Sequence, residues 1–441
     1  MKVCDKCGNK FNCNIDDCWC FEYPNVIPIV SKSCLCEICL MDMIKKIGKN
    51  KNLKLPLMSE NIDRGDINSV IEFLKQDPIP RLTNGEKVKE FEKQWSEWLG
   101  VKHSVFVNSG ASANELTMLA LRYMFPEGGD VIVPPLTWVS DINSVLFAGF
   151  NLRCVDINLD NLSFDLDKLE KEITKDTKAI FITHVLGLNG LSKKLLDICE
   201  KNGILLIEDV CESHGATFKD KKLGSIGFAS NFSFYFAHHM STIEGGMICT
   251  NDDKFYQMCR SLRSHGMVRE MTDNNMKKQY TDKYPDLNSD FIFMGPAHNF
   301  RSNEINAVLG LSQLKKLNDN NLKRINNFKY FINGLDDKKY KTDFNIDGQC
   351  NYAFIVIMKK ENLKLRDKIE SVLKKNGIEF RRGLSGGGNQ LRQPFFREKN
   401  INYDEFKNVD YIHNFSWYIG NYPSLNKSKI KNLLKVLNEV K

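Results

Sequence analysis

Two adjacent imidazoles, His238 and His239, stand in the stretch 230–250, SNFSFYFAHHMSTIEGGMICT. Imidazole changes charge nearest neutral pH, so one such ring can accept a proton and hand it on within a single reaction. A pair of this kind can also bind a metal or simply pack. Three further signals bear on the same chemistry. Asp209 ends the apolar run 204–209, ILLIED, at what reads as the C-terminal edge of a buried parallel strand, where α/β enzymes bind ligands. An Asp there can equally cap a helix. Glu212 and His214 make the following turn polar. Ser109-Gly110-Ala111-Ser112 reads as a strand-to-helix turn whose free amides can cradle a phosphate, a pattern that many non-binding turns share. Trp138, directly after a strand, either packs or stacks on a flat ligand.

These groups need strands to position them. Aromatic alternation over 232–236 predicts a strand ending at Ala237-His238-His239, and Glu244-Gly245-Gly246 predicts a tight return into another. Apolar runs at 104–108, 131–134, 154–157, 179–185 and 204–210 predict further strands. Helical periodicity covers 66–74, 86–99, 110 to 125, 165–172 and 191–201. Such alternation describes an α/β fold, a mainly parallel sheet covered on both faces. Residues 219–224 read as an exposed hairpin, and 270–290, poor in apolar residues, as a mobile loop. After a long helix that follows Arg301 come a strand at 351–357, a helix at 364–375, a Gly- and Arg-rich loop at 381–396, an apolar segment at 411–419 and a closing helix at 427–440. These predict a smaller α+β domain. The expected division is 1–45, a linker at 46–54, a large domain at 55–302, and 303–441.

The chain has 441 residues, 42% of them hydrophobic, enough to bury a full α/β core. Its surplus of positive charge, 62 − 55 = 7, is dispersed among acids and asparagines. Nucleic acid is therefore not an expected partner, although a basic pocket for an anion is allowed. There is no 18-residue apolar run and no signal-peptide pattern, so a soluble cytoplasmic protein without a membrane partner is expected.

Eight of the fourteen cysteines fall in the first 39 residues: Cys4, Cys7, Cys13, Cys18, Cys20, Cys34, Cys36 and Cys39. A short segment with so few large apolar residues needs a metal or cross-links to fold. Metal suits a cytoplasmic chain better than disulfides. Eight thiolates can hold two tetrahedral zinc ions, or one zinc with cysteines to spare; an iron–sulfur cluster is the alternative. The segment resembles small Cys-Trp-Cys zinc modules.

Several motifs recur together: Ser109-Gly110-Ala111-Ser112, Thr137-Trp138, Glu208-Asp209, the stretch 233–246, His298-Asn299-Phe300-Arg301 and Gln313-Leu314. With these, nearly all of 55–441 resembles the DegT/DnrJ/EryC1/StrS sugar aminotransferase family, pyridoxal-phosphate enzymes of nucleotide-linked 4-keto sugars. The resemblance implies the type I fold of such transferases and a homodimer with shared active sites. The family's aminotransferases carry, where His238 stands here, a lysine that bonds covalently to the cofactor. Imidazole cannot form that bond, yet it can still transfer protons. Ala237-His238-His239 resembles the family's dehydratase branch, which removes the C3 hydroxyl of a nucleotide 4-keto-6-deoxyhexose. Gly387-Gly388-Asn389 and Arg392-Gln393-Pro394 resemble that branch too.

Its cytidine-diphosphate member holds an iron–sulfur cluster through core cysteines after a segment matching Arg263-Ser264-His265-Gly266. No such cysteines follow here, which favours the glutamate-dependent form acting on guanosine-diphosphate sugars. A nucleotide-sugar aminotransferase and a non-enzymatic binder are the other readings. The resemblance implies that Asp209 meets the cofactor's pyridine nitrogen and that Gly110, Ala111, Ser112, Ser233 and a partner subunit's Asn299 meet its phosphate. It places Trp138 on the ring face, Glu212 in the cofactor pocket and His238 as the catalytic base. His239 then supports the substrate, with Arg381, Arg382 and Arg392 near the diphosphate.

Overall fold

The computed structural model of the chain describes residues 54–397 and 401–441, together with Lys2–Val3, Lys10–Phe11 and Cys39. Seven of the eight clustered cysteines lie outside the described residues, so the zinc module expected there does too. Lys2–Val3 pairs antiparallel with Lys10–Phe11.

The large sheet has seven strands: β1 (His103–Val107), β2 (Asp130–Val133), β3 (Asn151–Cys154), β4 (Thr177–Thr183), β5 (Leu205–Asp209), β6 (Ala229–Ser233) and β7 (Gly246–Thr250). Their spatial order is β1-β7-β6-β5-β4-β2-β3. Only β7 runs against the others, pairing antiparallel with β6 and β1. Alternate residues feed two separate cores: Val105, Val107, Val131, Val133 and Phe181 on one face, Phe106, Ile132, Ile180 and Ile182 on the other. Helices cover both faces, which is why these strands read as unbroken apolar runs.

The helices of this part are α1 (Arg64–Leu74), α2 (Glu86–Leu99), α3 (Gly110–Met124), α4 (Val139–Phe147), α5 (Leu166–Glu172), α6 (Lys193–Asn202), α7 (Asp253–Leu262) and α8 (Asn274–Lys283). The 31-residue α9 (Glu304–Gly334) then spans the molecule. Near its start, Glu304 accepts from the amides of Gly85, Lys87 and Val88 and so anchors the first turn of α2. Near its end, Gly334 lies against Leu434 of α12 (Lys427–Glu439). A second sheet, β8 (Ala353–Ile357), β9 (Phe380–Arg382) and β10 (Ser416–Gly420), is antiparallel in the order β8-β10-β9. It packs with α10 (Leu363–Lys375), α11 (Lys407–Phe415) and α12.

Three expectations need correction. The aromatic strand stops at Ser233, not at residue 236. Phe234 donates to Gly245 O and accepts from Thr242 N, both at 2.9 Å, so the chain between β6 and β7 is a closed excursion that carries both imidazoles. The strand placed at 154–157 is Asn151–Cys154, in register with β2. The residues after it are apolar because the smaller domain covers them: Asp156 accepts from Asn408 N and Val409 N at the start of α11. Residues 270–290 are not a loop throughout, since α8 forms there with no buried residue. Asp273 caps it through Asn275 N and Met276 N, and Lys278 pairs with Asp282 one turn on. Among the described residues, no helix is long and apolar enough to cross a membrane.

Candidate active site

A cavity of about 390 Å³ opens where β4, β5 and β6 end. This is the edge at which α/β sheets offer ligands their strand termini and helix N-termini. Asp209 closes β5 with its side chain 3% exposed; Oδ1 accepts from Cys211 N at 2.8 Å, and Asn114 Nδ2 stands 3.5 Å from Oδ2. No cation pairs with it among the described residues. Ser233 closes β6 and lines the same cavity.

Helix α3 points its N-terminus at this space. Ser109 is the N-cap, and its Oγ takes the amide of Ser112 at 3.0 Å. Gly110 and Ala111, first in the helix, have amides without intrahelical acceptors, and both residues line the cavity. Ser112, expected at the phosphate, does not line it, and its amide is bound to the cap. Gly110 lies so close to β6 that a Cβ there would sit 2.5 Å from Ser233 Cβ. Trp138, at the N-cap of α4, leaves half of its surface open (51% exposed) at the cavity wall. Glu212 lines the wall too and accepts from Leu186 N at 3.0 Å. Burial first, and the Asp209 charge after it, push its carboxyl up to about 7.

His238 reaches the cavity from the excursion after β6. Its amide donates to Tyr235 O at 3.0 Å, and its carbonyl accepts from Asn61 Nδ2 at 2.6 Å and Arg324 Nη2 at 3.3 Å. The ring lies 5.4 Å from Tyr352 and 6.2 Å from His214. Burial, aided by the Arg324 charge, holds its pKa down to about 3. A ring so placed is neutral at pH 7 and can accept a proton; once protonated, it is a strong acid.

Arg324 organises this region and was not singled out from the sequence. It is buried without a carboxylate partner among the described residues. Its Nη1 donates to Tyr352 O at 3.1 Å and to Asn421 O, so one guanidinium ties α9 to the His238 loop and to the ends of two segments of the smaller domain. A signal existed: Leu317, Asn321, Arg324, Phe328 and Phe331 follow helical spacing along the buried stripe of α9. Tyr235, Tyr352, Tyr418, His184, Cys211 and Ser385 also line the cavity and were missed.

Of the other expected residues, only Arg381 is at the cavity. His239 is fully buried behind the loop, with Nε2 2.9 Å from Cys350 O and its ring stacked 5.1 Å from His214. Arg381 lines the cavity. Arg382 does not; it is held bidentate by Glu370 at 2.5 and 2.8 Å. Arg392 is likewise held by Asp410 at 2.7 and 2.6 Å. Asn299 is exposed outside the cavity of its own chain, and its Oδ1 accepts from Arg301 Nε at 3.0 Å.

The description of the DegT/DnrJ/EryC1/StrS aminotransferase family matches residues 60–438. The chain is 31% identical over 399 residues to GDP-4-keto-6-deoxy-D-mannose 3-dehydratase of Yersinia pseudotuberculosis, covering 88% of this chain and 99% of that protein. It is 30% identical over 332 residues to GDP-perosamine synthase of Caulobacter vibrioides, covering 74% and 84%. A solved structure of GDP-4-keto-6-deoxymannose-3-dehydratase with a trapped PLP-glutamate geminal diamine superposes with a TM-score of 0.78 at 29% identity, over 87% of this chain and 100% of that one. The chain belongs to the DegT/DnrJ/EryC1/StrS aminotransferase family.

Proposed function

We propose that this protein is a pyridoxal-phosphate-dependent 3-dehydratase of a nucleotide-linked 4-keto-6-deoxyhexose, with glutamate as amino donor, releasing a 3,6-dideoxy-4-keto sugar. The observation that carries the reading is the imidazole of His238 in a cavity that no lysine lines among the described residues. An aminotransferase needs a lysine for both its covalent link and its proton transfers; His238 retains only the second ability. Similarity to the Yersinia dehydratase over nearly its whole length supports the same reading.

The residues present fit the cofactor. Asp209 is a buried carboxylate without a cationic partner among the described residues, suited to a protonated pyridine nitrogen. Gly110 and Ala111 offer amides at a helix N-terminus, beside Ser109 and Ser233, suited to a phosphate. The open face of Trp138 suits a flat ring. Bound there, pyridoxal phosphate and its amine form supply an electron sink and a carbon–nitrogen linkage to the sugar's C4 ketone.

The chain's own groups do the rest. With the cofactor bound, Asp209 would keep the ring nitrogen protonated, and His238 would take a proton from C4′ and, as imidazolium, give it to the departing C3 hydroxyl. Arg324 and Asn61 hold the loop carbonyl so that the ring keeps its place. Arg381, half-exposed at the cavity and paired with Glu379 at 3.3 Å, would reach the diphosphate by giving up or sharing that pair. Incubation of the protein with the cofactor, glutamate and a panel of nucleotide 4-keto-6-deoxy sugars, read by mass, tests the assignment. Loss of the C3 oxygen is expected, and exchange of the C4 oxygen for an amine would replace the reading by aminotransfer.

The proposal includes a homodimer in which Asn299 donates to the phosphate held by the partner. A charge-assisted hydrogen bond contributes about 1.5–3 kcal/mol, so Asn299→Ala should weaken cofactor binding by about 10- to 100-fold. Unchanged affinity in a dimer of normal stability would leave Asn299 only its local contact with Arg301. The cysteine-rich segment is proposed to hold zinc, on the spacing of its thiolates. Metal analysis should find about two zinc ions per chain. Iron with acid-labile sulfide would replace zinc by a cluster.

A further inference from the structure

Behind Asp209 lies a second carboxyl. Asp141, in the first turn of α4, is fully buried, with no cationic partner among the described residues. Its Oδ1 accepts from Asn114 Nδ2 at 2.6 Å, the same amide nitrogen that stands 3.5 Å from Asp209 Oδ2. Its Oδ2 lies 2.5 Å from Thr137 Oγ1 and 2.9 Å from Thr183 Oγ1, and these two hydroxyl oxygens are 2.6 Å apart.

The protons can be counted. Three oxygens in a triangle make three close contacts, and each contact needs one proton between its members. Two threonine hydroxyls bring two protons. The third has to come from the carboxyl.

We propose that Asp141 is a positioning residue that carries a proton at neutral pH, closing a ring of three hydrogen bonds with Thr137 and Thr183 and leaving Asp209 as the anion of the pair. The acid proton goes to Thr183, the Thr183 proton to Thr137, and the Thr137 proton back to Asp141 Oδ2, or the ring runs in the opposite sense. Either way Asp141 Oδ1 remains an acceptor for Asn114 Nδ2, which also lies 3.0 Å from Ser140 Oγ and 3.5 Å from Asp209 Oδ2. Burial, reinforced by the Asp209 charge, pushes the Asp141 carboxyl well above the ordinary carboxylate range. The other titratable groups nearby agree: burial raises Cys211 and Glu212 as well, and neither adds positive charge. His184, next to Thr183, is engaged with Glu208 at 3.1 Å and Gly190 N at 3.2 Å. Two ionised carboxylates in so dry a place repel each other, so one keeps its proton.

The role assigned to Asp209 rests on the proposed cofactor, whereas the proton on Asp141 does not, and the test separates the two. Infrared difference spectra of the cofactor-free protein at pH 7, wild type against Asp141→Asn, should reveal the carbonyl stretch of a neutral carboxylic acid that the variant lacks. The band should persist in Asp209→Asn. An asparagine keeps the shape and neutrality of the acid; its oxygen still accepts from Asn114 and its NH2 donates to both threonines, although it cannot accept in return, so Asp141→Asn should bind pyridoxal phosphate within about threefold of wild type. Asp141→Leu removes the acceptor that Asn114, Thr137 and Thr183 share and should weaken binding by about tenfold or more. The Glu212 carboxyl, pushed up to about 7, contributes a band common to both proteins; a difference spectrum at pH 7 in which Asp141→Asn removes no neutral-acid band overturns the proposal. If the variants do not fold, titrating the wild-type band decides the matter: Glu212, pushed up to about 7, loses its share near neutrality, so a component that persists well above pH 7 is expected, and loss of the whole band near pH 7 overturns the proposal. Failure of all forms to bind pyridoxal phosphate, with the band present, would instead sink the cofactor reading and leave the protonated Asp141 standing.

Discussion

His238→Lys is expected to lower sugar dehydration by about 10²–10⁴-fold, the usual cost of losing a positioned general base. The same change should make the cofactor covalently reducible. In the wild type the imidazole cannot bond to the cofactor's aldehyde, so borohydride should leave no pyridoxyl group on the protein. In the variant an amine occupies a cavity that no lysine lines among the described residues. Burial and the Arg324 charge, which hold the imidazole down to about 3, disfavour the charged form of a lysine as well, leaving a nucleophilic amine. A reducible adduct at residue 238, with slow amine transfer to the sugar, is the expected outcome. Dehydration at the wild-type rate in this variant would place the base elsewhere, and a stable pyridoxyl adduct on a wild-type core lysine would refute the non-covalent site.

Gly110→Ala is expected to weaken pyridoxal phosphate by about 10- to 100-fold, in line with the roughly 1–3 kcal/mol that forcing a methyl into a filled space costs. Gly110 is the first residue of α3, where alanine is a better helix former, so the backbone itself does not oppose the change. The obstacle is contact. The new Cβ would stand 2.5 Å from Ser233 Cβ, 3.0 Å from its Oγ and 3.2 Å from Cys211 Sγ. Relief requires α3 to move away from β6, which parts the amides of Gly110 and Ala111 from the Ser233 hydroxyl. Absorbance titration with the cofactor measures the loss, and thermal unfolding of the cofactor-free protein measures any general damage. Wild-type affinity in Gly110→Ala would mean that the phosphate does not lie between α3 and β6.

The sequence by itself determined the kind and order of elements over most of the described chain, because periodicity is local. Alternation and apolar runs marked β1, β2, β4 and β5, and helical spacing marked α2 to the residue. It also determined the most informative chemical fact, an imidazole where the resembled family has a lysine. Local patterns misled where burial came from a distant partner: the apolar residues after β3 are covered by the smaller domain, and the aromatics after Ser233 belong to a loop closed on itself.

Only the tertiary structure decided which polar residues face the cavity. Arg381 and Arg382 are neighbours on β9, and successive strand residues point to opposite faces, so one lines the cavity and the other meets Glu370. His238 and His239 diverge too, although they lie in a loop and not on a strand, one into the cavity and one towards Cys350. Tyr352 and Tyr418 reach the site from the second sheet, far along the chain from Asp209. The buried partners Asp141 and Arg324 carry no local mark of their roles. Their significance lies in what surrounds them, and a neighbour more than forty residues away, such as Thr183 for Asp141, is set by the packing of the sheet rather than by any pattern along the chain.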